Sequence, residues 1–133
     1  MVMFHKILIV DDSPHVRQAV RHSIEDRTDW EVFEAEHGKM ALLMVGTHRP
    51  DIVLLDLSMP VMNGLEAAKE ISKIAPELPM IMFTIYQNGD IVEAALQVGI
   101  KHVFTKSDGF GDHVIDAIRT LLPPLQNESQ AAS

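Results

Sequence analysis

A chain of 133 residues with 11 basic and 19 acidic side chains carries a formal charge of −8 and has no cysteine. That length holds one domain with a continuous core. The charge opposes direct binding to nucleic acid or to an anionic membrane surface, and the missing thiols exclude disulfides and thiolate metal sites while suiting a reducing, cytoplasmic setting. The opening MVMFHKILIV is apolar but too short to span a bilayer, and it runs into acidic residues with no small-residue cleavage site.

Lys6 to Val10 reads as an apolar strand, and Asp11-Asp12-Ser13-Pro14 then starts a helix, with Ser13 as N-cap and Pro14 at the first helical position. Val16, Ala19, Val20, Ser23 and Ile24 recur at helical spacing and form its inner face. Trp30 to Ala35 sets apolar residues between Glu31 and Glu34, the pattern of a half-exposed edge strand, and Glu34 to Glu36 read as a solvated face. Gly38 to Thr47 predicts a short helix with Ala41, Met44 and Val45 inward. Ile52 to Leu55 is uninterruptedly apolar, as in a strand of a parallel sheet covered on both faces, and Asp56 follows at its C-terminal end.

Met59-Pro60 and Asn63-Gly64 supply turn chemistry, after which Leu65 to Ala75 is helical with Ala67, Ile71, Ile74 and Ala75 as its buried stripe. Met80 to Thr84 is a fourth apolar strand. The helix around Ile91 to Val98 has an alanine-rich inner face with little area to bury, so it is expected to be the most mobile. His102 to Thr105 makes a fifth strand ending at Lys106, and Asp112 to Leu122 predicts a last helix. Five strands alternating with five helices through short connections imply a doubly wound α/β domain over residues 1–122, with the strand order left open by periodicity. Residues 123–133, PPLQNESQAAS, are polar and aperiodic and read as a disordered tail or a truncated linker.

Parallel strands deliver their C-terminal ends to one rim, which here collects Asp11, Asp12, Asp56, Thr84 and Lys106. Three neighbouring carboxylates repel unless their pKa values rise or a hard cation neutralises them, and oxygen-only ligands favour magnesium or manganese over zinc. A lysine and a hydroxyl are the further groups a phosphoryl group needs, so the set suits phosphoryl transfer onto a carboxylate nucleophile, Asp56. The seven histidines are scattered; only His15 and His22 share a helix, seven apart rather than the three or four that joins two ligands. Surface or partly buried histidines are the default reading; His15, at the helix start beside Asp11 and Asp12, is the one with a place from which to tune the site, and a solvated role is favoured for it too.

VDDS at 10–13, LLDLSMPVMNGLEA at 54–67, FT at 83–84 and FTK at 104–106 stand in the order and spacing of bacterial two-component response-regulator receiver domains. The chain resembles that family from about Lys6 to Leu122. The resemblance implies a flavodoxin-like sheet ordered 2-1-3-4-5 and a phosphorelay switch, not a turnover enzyme, that catalyses only its own phosphorylation and dephosphorylation. In that role Asp56 accepts a phosphoryl group from a sensor histidine kinase. Asp12 ligates magnesium directly, Asp11 through water and Ser58 through its backbone carbonyl, while Thr84 and Lys106 hold the phosphoryl oxygens. The implied partners are the kinase and a downstream protein or a missing output domain, with room for a phosphorylation-dependent homodimer and no nucleic-acid or membrane contact by this chain.

Three positions depart from the family pattern. Val103 stands where receivers usually carry the aromatic residue that reports phosphorylation; Phe104 next to it should face the other side of the sheet, leaving Tyr86 as the candidate substitute. Ile85 is bulky where many relatives are small, and is expected to shield an aspartyl phosphate from water. Ser107 follows Lys106 in place of the common proline, as in the subgroup joined to helix-turn-helix output domains. The rival from another class is a magnesium-dependent phosphohydrolase using Asp56, which would want a general acid where Ser58 stands. A flavin-binding module on the same topology is disfavoured by the two carboxylates after the first strand, where an anion-friendly loop is required.

Overall fold

The computed structural model describes residues 3–86 and 88–125. Strands β1 (Lys6–Val10), β2 (Glu31–Ala35), β3 (Ile52–Leu55), β4 (Met80–Thr84) and β5 (Ile100–Thr105) alternate with helices α1 (Pro14–Arg27), α2 (Gly38–His48), α3 (Gly64–Ile74), α4 (Gly89–Gln97) and α5 (Asp112–Leu121). All strand pairs are parallel and the sheet order is β2-β1-β3-β4-β5, the flavodoxin-like order the resemblance implied. Among the described residues no helix is long and apolar enough to cross a membrane.

Side chains alternate across the pleat, so each central strand feeds two cores. Leu8, Val10, Val53, Leu55, Met80 and Met82 pack with Ala41, Val45, Ala67 and Ile71 on the face covered by α2 and α3. Ile7, Ile9, Ile52, Leu54, Ile81 and Phe83 pack with Val20, Ile24, Val114 and Ile118 on the face covered by α1 and α5. β3 and β4 are buried along their whole length, whereas the edge strand β2 shows the half-exposed pattern its glutamates predicted. Helix starts follow from capping chemistry. Ser13 Oγ accepts from the Val16 N–H with Pro14 at the first position, and Asn63 and Glu66 form a reciprocal capping box.

Several boundaries and faces differ from the expectation. β5 begins at Ile100, not His102, because Gly99 at φ +96 reverses the chain directly into the strand and Ile100 is buried. Ala19 is exposed, since Val16, Val20 and Ile24 align along the sheet and a single methyl group left in water carries little penalty. Ile74, expected in the buried stripe of α3, is 57% exposed. It lies in the last turn beside an open groove lined by Arg49, Pro50 and Pro79, and Ala68 takes its place in the core. α4 has one fully buried residue, Ala95, in keeping with its alanine-rich face. The expected tail begins at exposed Pro123; its part from 126 to 133 lies outside the described residues.

Candidate functional site

The end of β1 and the end of β3 lie side by side, so Asp11 and Asp56 are delivered by the sheet itself. The Asp56 N–H donates to the Val10 carbonyl at 2.9 Å and the Asp11 N–H donates to the Ala35 carbonyl at 3.1 Å, extending the ladders one residue past the strands. Asp11 and Asp56 are 3% and 5% exposed, and Asp12 is exposed. Carboxylate oxygens of all three lie within 4.8 Å of one another. Thr84, fully buried, ends β4, and Lys106 opens the short 3-10 turn (Lys106–Asp108) after β5. The five residues singled out in the sequence are therefore on one rim. Ser58 is exposed in the loop that leaves Asp56, and His15 is exposed at the start of α1.

Lys106 Nζ sits 2.7 Å from Asp11 Oδ2 and 3.4 Å from Asp56 Oδ2. One ammonium thus serves two buried carboxylates, which leaves the cluster negative. Asp56 Oδ1 is buried with no hydrogen-bond partner. An unpaired oxygen on a buried carboxylate is costly, and burial first, then the Asp11 carboxylate, push the Asp56 pKa above its ordinary range, with Lys106 and Thr84 opposing them. Three carboxylates with no nitrogen or sulfur ligand fit a hard divalent cation of the magnesium class.

The loop after Asp56 is folded tightly onto it. A Cβ built on Gly64 would lie 2.2 Å from the Asp56 carbonyl oxygen, and the Gly64 N–H donates to the Leu57 carbonyl at 2.8 Å. The sequence marked Asn63-Gly64 as turn chemistry; the structure shows that the glycine is required by close approach. Within the same loop the Met62 N–H donates to the Pro60 carbonyl at 2.8 Å across Val61, whose φ is 70°. This is a γ-turn of the rare, strained kind, carried by a β-branched residue, and only a glycine would have marked it in the sequence.

Two charged residues have partners that their sequence pattern does not show. Glu34, read as part of a solvated face, pairs with Arg17 Nε at 3.0 Å and Arg21 Nε at 2.7 Å, and these bonds hold its pKa below the ordinary range despite partial burial. Arg17 also donates through Nη1 to the Asp11 carbonyl at 2.6 Å. It escaped notice because it sits on a helix, away from the strand ends where ligands are looked for.

The family model of the response regulator receiver domain matches residues 7–118. The chain belongs to this family. Receiver domains act in two-component phosphorelay signalling, and this one is 32% identical over 126 residues to the sporulation initiation phosphotransferase F of Bacillus subtilis, covering 95% of this chain and 100% of the relative. It is 40% identical over 105 residues to a protein-glutamate methylesterase/protein-glutamine glutaminase of Hahella chejuensis, covering 77% of this chain but 30% of that protein. Among solved structures, the chemotaxis protein CheY4 of Vibrio cholerae superposes with a TM-score of 0.83 at 28% identity, over 90% of the receiver and 100% of that chain.

Proposed function

We propose that this receiver takes a phosphoryl group from the phosphohistidine of a sensor histidine kinase onto Asp56, using a magnesium ion held by Asp11, Asp12, Asp56 and the backbone carbonyl of Ser58. The observation that carries the reading is the buried Asp56 carboxylate with one oxygen unpaired beside a second buried acid and a single lysine. Bound magnesium supplies positive charge to the carboxylates and to the phosphoryl oxygens. A carboxylate oxygen of Asp56 forms the new bond to phosphorus as the phosphorus–nitrogen bond breaks, and the histidine leaves with the bonding electron pair. Lys106, already 3.4 Å from Asp56 Oδ2, balances charge on the product, and the Thr84 hydroxyl donates to a phosphoryl oxygen.

Asp12 and Ser58 are the exposed members of the proposed ligand set, so the cation and the donor reach the buried Asp56 past them. Ser58 is not a general acid, which speaks for a switch over the rival hydrolase. The unit acting is residues 1–122, in the cytoplasm, and its output goes to a downstream protein or an output domain through a shift between two pre-existing states around α4 and β5. Two experiments test the reading. With acetyl phosphate and magnesium, wild-type protein should acquire one acid-labile phosphoryl group and Asp56→Asn none. Incorporation that survives the substitution, or that is unaffected by chelating the metal, refutes the assignment. Transfer from a phosphorylated histidine kinase to wild type only would establish the donor class.

A further inference from the structure

Arg17 stands outside the strand-end rim, yet its guanidinium is fixed in two directions. Nη1 donates to the Asp11 main-chain carbonyl at 2.6 Å, and Nε donates to Glu34 Oε1 at 3.0 Å on the neighbouring strand β2. Glu34 is itself held through Oε2 by Arg21 Nε at 2.7 Å, and Arg21 is tied to the Val32 carbonyl at 3.0 Å. The Arg17 side chain is only 14% exposed. Ordering so long a side chain gives up much rotamer freedom, which the bonds it makes at both ends must offset.

What it holds is the peptide between the two candidate cation ligands. The Asp11 carbonyl and the Asp12 N–H belong to one planar unit. Fixing the carbonyl fixes that plane, and the plane sets the direction in which the Asp12 Cα and carboxylate leave. The remaining groups of Asp11 are already committed. Its N–H donates to Ala35, its Oδ1 accepts from the Ser13 N–H at 2.9 Å, and its Oδ2 is 2.7 Å from Lys106. Asp12, by contrast, is exposed and depends on its backbone for placement.

We propose that Arg17 is a positioning residue of the cation site: anchored on Glu34, it holds the Asp11–Asp12 peptide so that the Asp12 carboxylate faces those of Asp11 and Asp56. The inference rests on the reading of those three carboxylates as the cation site. It also opposes simple electrostatics. Deleting a positive charge beside an acidic cluster should tighten cation binding, whereas losing the peptide's orientation should weaken it, so the sign of the change separates the two.

The test is a titration of the full chain with Mn2+ alone, reading free ion by electron paramagnetic resonance, beside urea unfolding of each variant. Groups that orient ligands commonly change metal affinity by 10- to 100-fold, so Arg17→Met should bind Mn2+ on the order of tenfold more weakly than wild type. Arg21→Met removes the other arginine on Glu34 without touching the Asp11 carbonyl and should keep wild-type affinity at a comparable loss of stability. Arg17→Lys can keep the ion pair with Glu34 but not the two-way fork, so it should recover stability and not affinity. Unchanged or tighter binding in Arg17→Met, or an equal loss in Arg21→Met, overturns the proposal. If Arg17→Met does not fold, a folded Arg17→Lys decides the same question: weakened affinity supports the role and wild-type affinity refutes it. Wild-type protein that takes up no Mn2+ would overturn the cation reading first and this inference with it.

Discussion

Gly64→Ala sets two effects of opposite sign against each other at the site. Gly64 is the first residue of α3 and has no positive φ, so backbone conformation gives no reason for a glycine there. Replacing such a glycine by alanine ordinarily stabilises by about 0.4–1 kcal/mol through the unfolded chain. The new methyl group, however, would lie 2.2 Å from the Asp56 carbonyl oxygen and 2.9 Å from the Leu57 Cα, against main chain on both counts. Bringing these contacts to ordinary separation requires the helix start and the end of β3 to part by about 1 Å, and strain of that kind costs roughly 1–3 kcal/mol or more. The steric cost wins, and a net loss of about 1–2 kcal/mol is expected in urea unfolding. Because Asp56 sits on the displaced segment, phosphoryl uptake from acetyl phosphate should fall together with stability. A variant as stable as wild type with unchanged uptake would refute the argument that close approach, not turn conformation, fixes this residue.

Val61→Gly should move the other way: the residue is 92% exposed at φ 70°, so little packing is lost, and relieving the strain should stabilise by about 1 kcal/mol, read as a higher urea midpoint at unchanged slope. The Asp56 carboxyl has its pKa raised by folding, so the folded protein keeps that proton to higher pH than the unfolded chain. Its penalty is therefore absent below the ordinary carboxylate range and grows as pH rises through it toward the folded value. Metal-free Asp56→Asn should accordingly be more stable than wild type at neutral pH, with the gap closing on acidification; a gap that widens in acid contradicts the shift. Ile85 is 64% exposed on the rim beside Thr84. If its side chain shields the acyl phosphate, Ile85→Ala should lose phosphate faster, and an unchanged half-life of the phosphorylated form would remove the shield.

The sheet and the rim were readable because both follow from rules that act on neighbouring residues. A four-residue apolar run such as Ile52 to Leu55 has to be covered on both faces, and whatever follows it, here Asp56, has to emerge at the ligand-binding end. The strand order was not readable from that pattern and came only with the motif resemblance, since pairing depends on contacts between distant strands. Ile74 and Ala19 were misplaced because helical spacing fixes a face but not how far the neighbouring layer extends over it. Glu34 and Arg17 were invisible for a related reason. Their partners lie on other elements, and nothing in a charge pattern tells a solvated glutamate from one gripped by two arginines.

Val103, like Ile91 and Val98, packs against the core that contains Met82 and Ala95, whereas Phe104 belongs to the opposite core and its ring lies 5.6 Å from that of His113. A ring at Phe104 therefore cannot swing toward Thr84 without crossing the sheet. Tyr86, 46% exposed, donates its N–H to the Thr84 hydroxyl at 3.3 Å. Its main chain is tied to the hydroxyl that would turn toward a phosphoryl oxygen, so a turn of Thr84 would reach Tyr86, three residues before α4 begins at Gly89. That helix has only Ala95 fully buried to hold it. Tyr86→Ala should consequently leave phosphoryl uptake near wild type while blunting the change in amide exchange across α4 on phosphorylation; an undiminished α4 response would place the relay elsewhere than this loop.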